Sequence, residues 1–515
     1  MEPVTRIVIV GGGTAGWLTA GTLAAATRES DERPLEITLV ESPNVPIIGV
    51  GEGTWPTMRR TLKRMGIRET DFLNQCSASF KQGAQFVGWV DGSRGDAYYH
   101  PLVLPQGYFE TNMARQWLAG VSDGSFAAAV CPQEALCEAG RAPKAITTAE
   151  YDAVANYAYH LDAGAFSRFL QEHCTRVLGV RHVAADVTGI RSAENGDIAA
   201  VLTMQAGEIA GDLFIDCTGF RALLLGEHFG VGFIPCTQVL FADRALAVQV
   251  PYPAADSPIL PHTLSTAQRA GWIWDIGLQS RRGVGHVYSS AHIDDDAARA
   301  DLRAYVHSIG GDAEALPMRK IEFQAGHRTR FWERNCVAVG LSAGFLEPLE
   351  ASAILLVEIA AQFIAEQMPA TRAAMDPVAR RYNTTFAYRW ARIIDFLKLH
   401  YLLSRRTEPF WADNRRTESI PESLTELLTL WREQPPWHDD FDRAVEVFPA
   451  ASYQYVLYGM GFETRVPPRG LSSQARAHGE QLFMHNKQEA AAMIQRLPST
   501  RDLLDRIARY GLQPV

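Results

Sequence analysis

The stretch Arg6–Gly16, RIVIVGGGTAG, decides the fold. Arg6 to Val10 is a β-branched run that favours a strand, three glycines follow, and Trp17 to Thr27 (WLTAGTLAAAT) is alanine-rich and favours a helix. Glu36 to Glu41 (EITLVE) is a second strand of the same kind, so the order is a βαβ unit with parallel strands. Gly11, Gly13 and Gly16 make GxGxxG. The first glycine permits the tight turn, the second lets a pyrophosphate approach the backbone, and the third allows helix and strand to pack closely. Phosphates would rest on the positive helix end opening at Thr14 and Ala15, while Glu41, an acid at the end of the second strand, is placed to hold a ribose hydroxyl. This context predicts a bound dinucleotide.

Two later stretches favour FAD over NAD. Asp212 to Gly219 (DLFIDCTG) is a strand ending in a turn of the kind that closes over the adenine dinucleotide of two-domain flavoproteins. Asn335 to Leu349 (NCVAVGLSAGFLEPL) is a strand and a small-residue turn, followed by the helix former Ala351 to Gln367, whose N-terminal N–H groups could face an electron-rich ring. Strands continue from Gly179 to Gly219 and from Phe241 to Val250; beyond Pro369 apolar residues fall at helical spacing, as in WARIIDFLKLHYLL from Trp390 to Leu403. The expected class is α/β, a two-domain FAD-binding flavoprotein fold with a Rossmann-type βαβ and mixed sheets. Residues 1–375 are expected to form the FAD-binding body with an inserted sheet, and residues 376–515 a mainly helical region.

Length and composition exclude other classes. The 515 residues carry 49 Lys+Arg against 58 Asp+Glu, a formal charge of −9, which argues against a nucleic-acid protein. The apolar fraction of 47% and charged fraction of 21% suit a packed enzyme. Seven scattered cysteines without a CxxC pair indicate neither a disulfide framework nor a metal site, and read as small buried hydrophobes. The first residues run straight into a strand, with no signal-peptide pattern, and no stretch has the length of a membrane helix; a cytoplasmic location is expected.

Three features need more than composition. Trp272 to Ile276 (WIWDI) is a WxWxI pattern whose two indoles share one face of a strand, ordinarily core. Ile48 to Pro56 (IGVGEGTWP) is a glycine-rich strap that by itself is a loop. Lys81 is one of only six lysines, set between Phe80 and Gln82 beside apolar FVGWV, where the ordinary reading is a snorkelling surface lysine.

Taken together and in order, GGGTAGW, IGVGEGTWP, FK at Phe80 and Lys81, WIWDI, GFLEPLE, and DFLKLHY followed by Phe410 and Trp411 resemble the flavin-dependent tryptophan halogenases over nearly the whole chain. The resemblance implies that reduced FAD, oxygen and a halide yield hypohalous acid, which travels through a tunnel to an aromatic substrate. It places Ile48, Gly49, Val50, Gly51 and Leu341 against the flavin. Lys81 matches the essential lysine, which hydrogen-bonds hypohalous acid or becomes a haloamine; Glu350 matches the glutamate that polarises this reagent and assists proton loss from the ring.

Family members that act on tryptophan usually read ESTG where this chain has Glu350, Ala351, Ser352 and Ala353, and end the tryptophan motif in proline where it has Gly277. Ser352 and the amide of Ala353 could still donate to a halide, with bromide expected to serve at least as well as chloride. For the substrate, the resemblance points to His100, Trp272, Trp274, Phe448 and Tyr453 as ring or tunnel contacts. The expected substrate is an electron-rich, indole-like aromatic. Two other readings stand beside this one: an aromatic monooxygenase working without halide, and a non-catalytic FAD carrier. No second GxGxxG unit is visible, so a separate flavin reductase is expected to supply FADH2.

Overall fold

A computed structural model of the chain describes residues 3–28, 35–45, 51–443, 445–465 and 470–514. In chain order, the elements that position the site begin with β1 (Arg6–Val10), α1 (Thr14–Arg28), β2 (Glu36–Glu41) and α2 (Thr57–Arg64). Next come β3 (Ser79–Lys81), β4 (Gly83–Val87), β5 (Ala97–Pro101), β6 (Ala158–Asp162) and β7 (Leu213–Asp216). The last are β8 (Thr263–Gln268), β9 (Gly271–Gly277), β10 (Arg281–Tyr288), β11 (Cys336–Ala338), α3 (Ser352–Glu366), α4 (Arg372–Leu402) and α5 (Ala450–Gly459).

The chain forms two compact units. One gathers Met1–Ala78, Leu161–Cys236 and Gln324–Trp390; the other gathers Ser79–His160, Thr237–Phe323 and Ala391–Val515. This grouping differs from a single boundary near residue 375. Strands far apart in sequence share one sheet, so the chain enters and leaves each unit repeatedly.

In the first unit, β1 lies inside a six-stranded sheet of order Trp332–Glu333, β11, β7, β1, β2, Arg181–Ala184. Ile9 stands opposite both Leu39 and Ile215 in parallel register, the βαβ geometry expected from the sequence. Ile7, Val8, Ile9, Leu39 and Ile215 are buried, as befits parallel strands covered on both faces.

The second unit is built on a seven-stranded mixed sheet of order Arg319–Glu322, Arg244–Pro251, β10, β9, β8, β4, β5. Antiparallel β9 and β10 set Trp274 opposite Gly285, whereas β8 and β4 run parallel. Its core includes Leu246, Val248, Ile273 and Val284 under Leu302 and Val306 of the helix Asp295–Ser308. Beyond residue 391 the described elements are all helical. All seven cysteines are free, six of them buried and Cys217 half-buried. Among the described residues no helix is long and apolar enough to cross a membrane, and no cluster of His, Cys, Asp and Glu could hold a metal.

Candidate active site

The nucleotide half is built around the glycine loop of the first unit. Gly11 has φ +110°, and a Cβ there would stand 2.2 Å from the Cys217 carbonyl oxygen, so only glycine fits. A Cβ on Gly16 would stand 1.9 Å from the Gly11 carbonyl oxygen, which is the close packing expected of the third glycine. At Gly13 a Cβ would meet nothing within 4 Å, an open approach to the backbone at the head of α1 where Thr14 and Ala15 begin the helix. Glu41 lies over Gly12, where a Cβ would be 2.1 Å from its carboxyl carbon, and its Oε2 is 3.2 Å from His182 Nε2. Burial pushes the Glu41 carboxyl up, and the His182 charge opposes the shift. These residues fit an adenine dinucleotide.

Asp216, by contrast, serves its own turn. Its carboxylate accepts the Thr218 N–H and hydroxyl at 3.0 and 2.6 Å and the N–H groups of Leu224 and Leu225 at 2.8 Å each. Leu341 sits in the short turn Gly340–Ser342, which meets α1: a Cβ on Gly340 would be 2.7 Å from the Ala15 Cβ. Gly51 opens the short strand Gly51–Gly53, whereas Ile48, Gly49 and Val50 lie outside the described residues.

The head of α3 is one strained part of this unit. Glu350 and Ala351 are consecutive left-handed residues, with φ 64° and 54°, and neither is glycine. Such a pair costs on the order of 1–3 kcal/mol per residue and persists only where surroundings impose it. One constraint is Trp55, whose indole N–H donates to the Glu350 carbonyl at 2.9 Å. Glu350 is buried, Ser352 is buried, Ala353 is exposed, and no side chain caps the helix that begins at Ser352. An uncapped helix start beside a buried hydroxyl offers N–H donors to an anion.

In the second unit, Lys81 is 2% exposed, which removes the surface reading. In the β3–β6 pair Lys81 stands opposite Ala158, Phe80 opposite Tyr159 and Ser79 opposite His160, so Ser79, Lys81 and His160 share one face. The Ser79 hydroxyl donates to the Gly277 carbonyl, tying the lysine strand to the end of WIWDI. His160 Nε2 is 2.9 Å from Thr263 Oγ1. Burial, then the charges of Lys81 and His262, drive the His160 imidazolium form well below its ordinary range; burial pushes His262 down to about 4. The lysine therefore sits among neutral imidazoles.

Trp272 and Trp274 are buried with ring centroids 6.4 Å apart, on one face of β9 as expected. Trp274 lies against β10 because Gly285 has no side chain: a Cβ there would be 2.1 Å from the indole. The buried Trp272 indole N–H has no hydrogen-bond partner among the described residues. His100, Phe448 and Tyr453 are assembled through Phe396, a residue of DFLKLHY that pattern reading left without a role. Its ring is 5.7 Å from His100, stacked at 3.9 Å on Phe448 and edge-on to Tyr453 at 4.9 Å. His100 Nε2 is also 2.9 Å from Ser452 Oγ.

A GxGxxG loop that opens a helix on a parallel sheet fits an enzyme that binds a dinucleotide. The tryptophan halogenase family model matches residues 6–475. The chain belongs to this family and is a flavin-dependent halogenase, a class that uses FAD, oxygen and halide. A 7-chloro-L-tryptophan 6-halogenase from Kutzneria sp. (strain 744) is 34% identical over 97% of this chain and 99% of its own. A tryptophan halogenase structure from Shewanella frigidimarina is 48% identical, with a TM-score of 0.97, covering 100% of this chain and 99% of that one. A flavin-dependent halogenase from a Brevundimonas species is 33% identical at a TM-score of 0.85, covering 98% of this chain and 99% of that one.

Proposed function

We propose that the chain halogenates an indole-like aromatic ring, with Lys81 delivering the halogen. The observation that carries this reading is the burial of Lys81 on a strand bonded to the WIWDI strand. Reduced FAD with oxygen supplies the oxidation of halide to hypohalous acid. Gly11, Gly13, Thr14, Ala15, Gly16 and Glu41 would hold the nucleotide, with Gly51 and Leu341 nearer the flavin ring. Ser352 and the Ala353 amide would hold halide at the head of α3.

Lys81 donates to hypohalous acid or is halogenated at its nitrogen; either way the halogen is presented to one ring carbon as an electrophile. Glu350 polarises the reagent and takes the proton that leaves the ring. The Trp272 indole N–H can bond a small polar oxidant in passage, and His100 with Phe448 forms part of the aromatic wall for the substrate. Tryptophan is named as the substrate of several relatives, and free indole or tryptophan is proposed here. FADH2 is proposed to come from a separate flavin reductase, and bromide to serve at least as well as chloride.

The test is mass spectrometry of indole and tryptophan incubated with the protein, FAD, a flavin reductase, NADH, and chloride or bromide. Product carrying the halogen isotope pattern is expected. Hydroxylated product in halide-free buffer would favour the monooxygenase reading instead.

A further inference from the structure

Glu358 lies on α3 six residues beyond Ser352, about 9 Å along the helix axis. It is 5% exposed. Its Oε2 accepts the Thr57 hydroxyl at 3.1 Å and its Oε1 the Thr61 hydroxyl at 2.6 Å, both from α2. We propose that Glu358 takes up a proton when a halide ion settles at the head of α3, so that halide and proton are bound as a pair. The proposal rests on the halide seat assigned above.

A halide and a carboxylate are like charges on one helix, the carboxylate buried. At roughly 10 Å and an effective dielectric of about 20, their repulsion is enough to change an affinity about tenfold. The proton comes from solvent and returns there when the halide leaves. Both states of the carboxyl can be satisfied. As a carboxylate, each oxygen accepts a threonine hydroxyl. As the acid, its O–H donates to Thr61 Oγ1, whose own hydrogen turns to the Thr57 carbonyl 3.4 Å away.

The surroundings leave this proton free to move near neutrality. Burial pushes Glu358 up to about 7, against the threonine hydroxyls and the charge of Arg60. The other charges on α2 are Arg59, Lys63 and Arg64. The facing helix α1 carries Arg28 alone, at its far end, and Gly340–Ser342 carries none. The turn before α3 brings Glu350, α3 itself ends in Glu366, and Tyr382 of α4 meets Phe363. Glu52, also pushed to about 7 by burial, is the internal control.

Infrared difference spectra of the FAD-loaded enzyme at about pH 8, bromide minus gluconate, should gain a protonated-carboxyl band. The band should vanish in Glu358→Gln and persist in Glu52→Gln. In turnover, the bromide KM of the unmodified enzyme should rise about tenfold between about pH 6 and pH 8.5, and less than about twofold in Glu358→Gln. Thr61→Val, which removes a donor favouring the carboxylate, should move the inflection upward and serves if Glu358→Gln does not fold. Anomalous scattering from bromide separates the two readings. Bromide at the head of α3 without the band, or with a band unaffected by Glu358→Gln, overturns the proton coupling alone. Bromide bound elsewhere overturns the halide seat and the coupling with it.

Discussion

At the scale of single residues, the proposed chemistry rests on a lysine that is only 2% exposed. Lys81→Ala should lower halogenation of indole by about a thousandfold or more while FAD affinity, followed by flavin fluorescence, stays unchanged. Retained product would remove the lysine from the mechanism. Trp55→Phe removes the donor to the Glu350 carbonyl; it should raise the bromide KM severalfold and lower unfolding stability by about 1 kcal/mol, read from halide titrations and urea denaturation. Lys81 stood out in the sequence as a scarce lysine among apolar neighbours, but that pattern alone read as a surface lysine and only the family resemblance gave it a role. The strain at Glu350 and Ala351 was not, since neither residue type announces a left-handed backbone. Nor was the part played by Trp55, because its partner lies 295 positions away and depends on the fold.

Elements defined by local chemistry were legible. The β-branched runs at Arg6–Val10 and Glu36–Glu41 became β1 and β2 residue for residue, since each run is bounded by turn-forming or polar sequence and needs no distant partner to be recognised. The seven-stranded sheet was not legible in the same way. Its pairing of β4 with β8 joins Gln85 to Leu264, a register fixed by tertiary packing rather than by any local signal. The β9–β10 pair gives a test at this scale. Gly285→Ala would place a methyl where the Trp274 indole lies, so the ring must move; near-UV circular dichroism should change and unfolding stability fall by about 1–3 kcal/mol. An unchanged tryptophan spectrum would show that the indole has room to spare.

For the whole molecule, buried ionisable groups set opposing trends with pH. His262, pushed down to about 4, has a folded value below its unfolded one. Its contribution is therefore complete above about pH 6.5 and is lost as pH falls toward 4, up to about 3 kcal/mol. Glu358, pushed up to about 7, runs the other way: its contribution is complete below about pH 4.5 and is lost as pH rises to about 7. Denaturant unfolding across this range should show a shallower acid limb in His262→Asn and a smaller loss toward neutral pH in Glu358→Gln. Parallel curves for a variant and the unmodified protein would mean that the group is not differently protonated on folding.

The burial of the cysteines bears on survival. A catalyst that releases a strong oxidant is its own nearest target, and thiolates are the fastest casualties. Here burial holds Cys76, Cys131, Cys137, Cys174, Cys217 and Cys336 well above ordinary thiol values, so each stays in its slow, protonated form. In the proposed chemistry, escaping hypohalous acid would meet thioethers first, at Met204, 72% exposed, and Met484, 55% exposed. During turnover without substrate, peptide mapping should therefore find sulfoxide on these two methionines before any cysteine is oxidised, making them sacrificial surface sulfur that records how much oxidant was wasted.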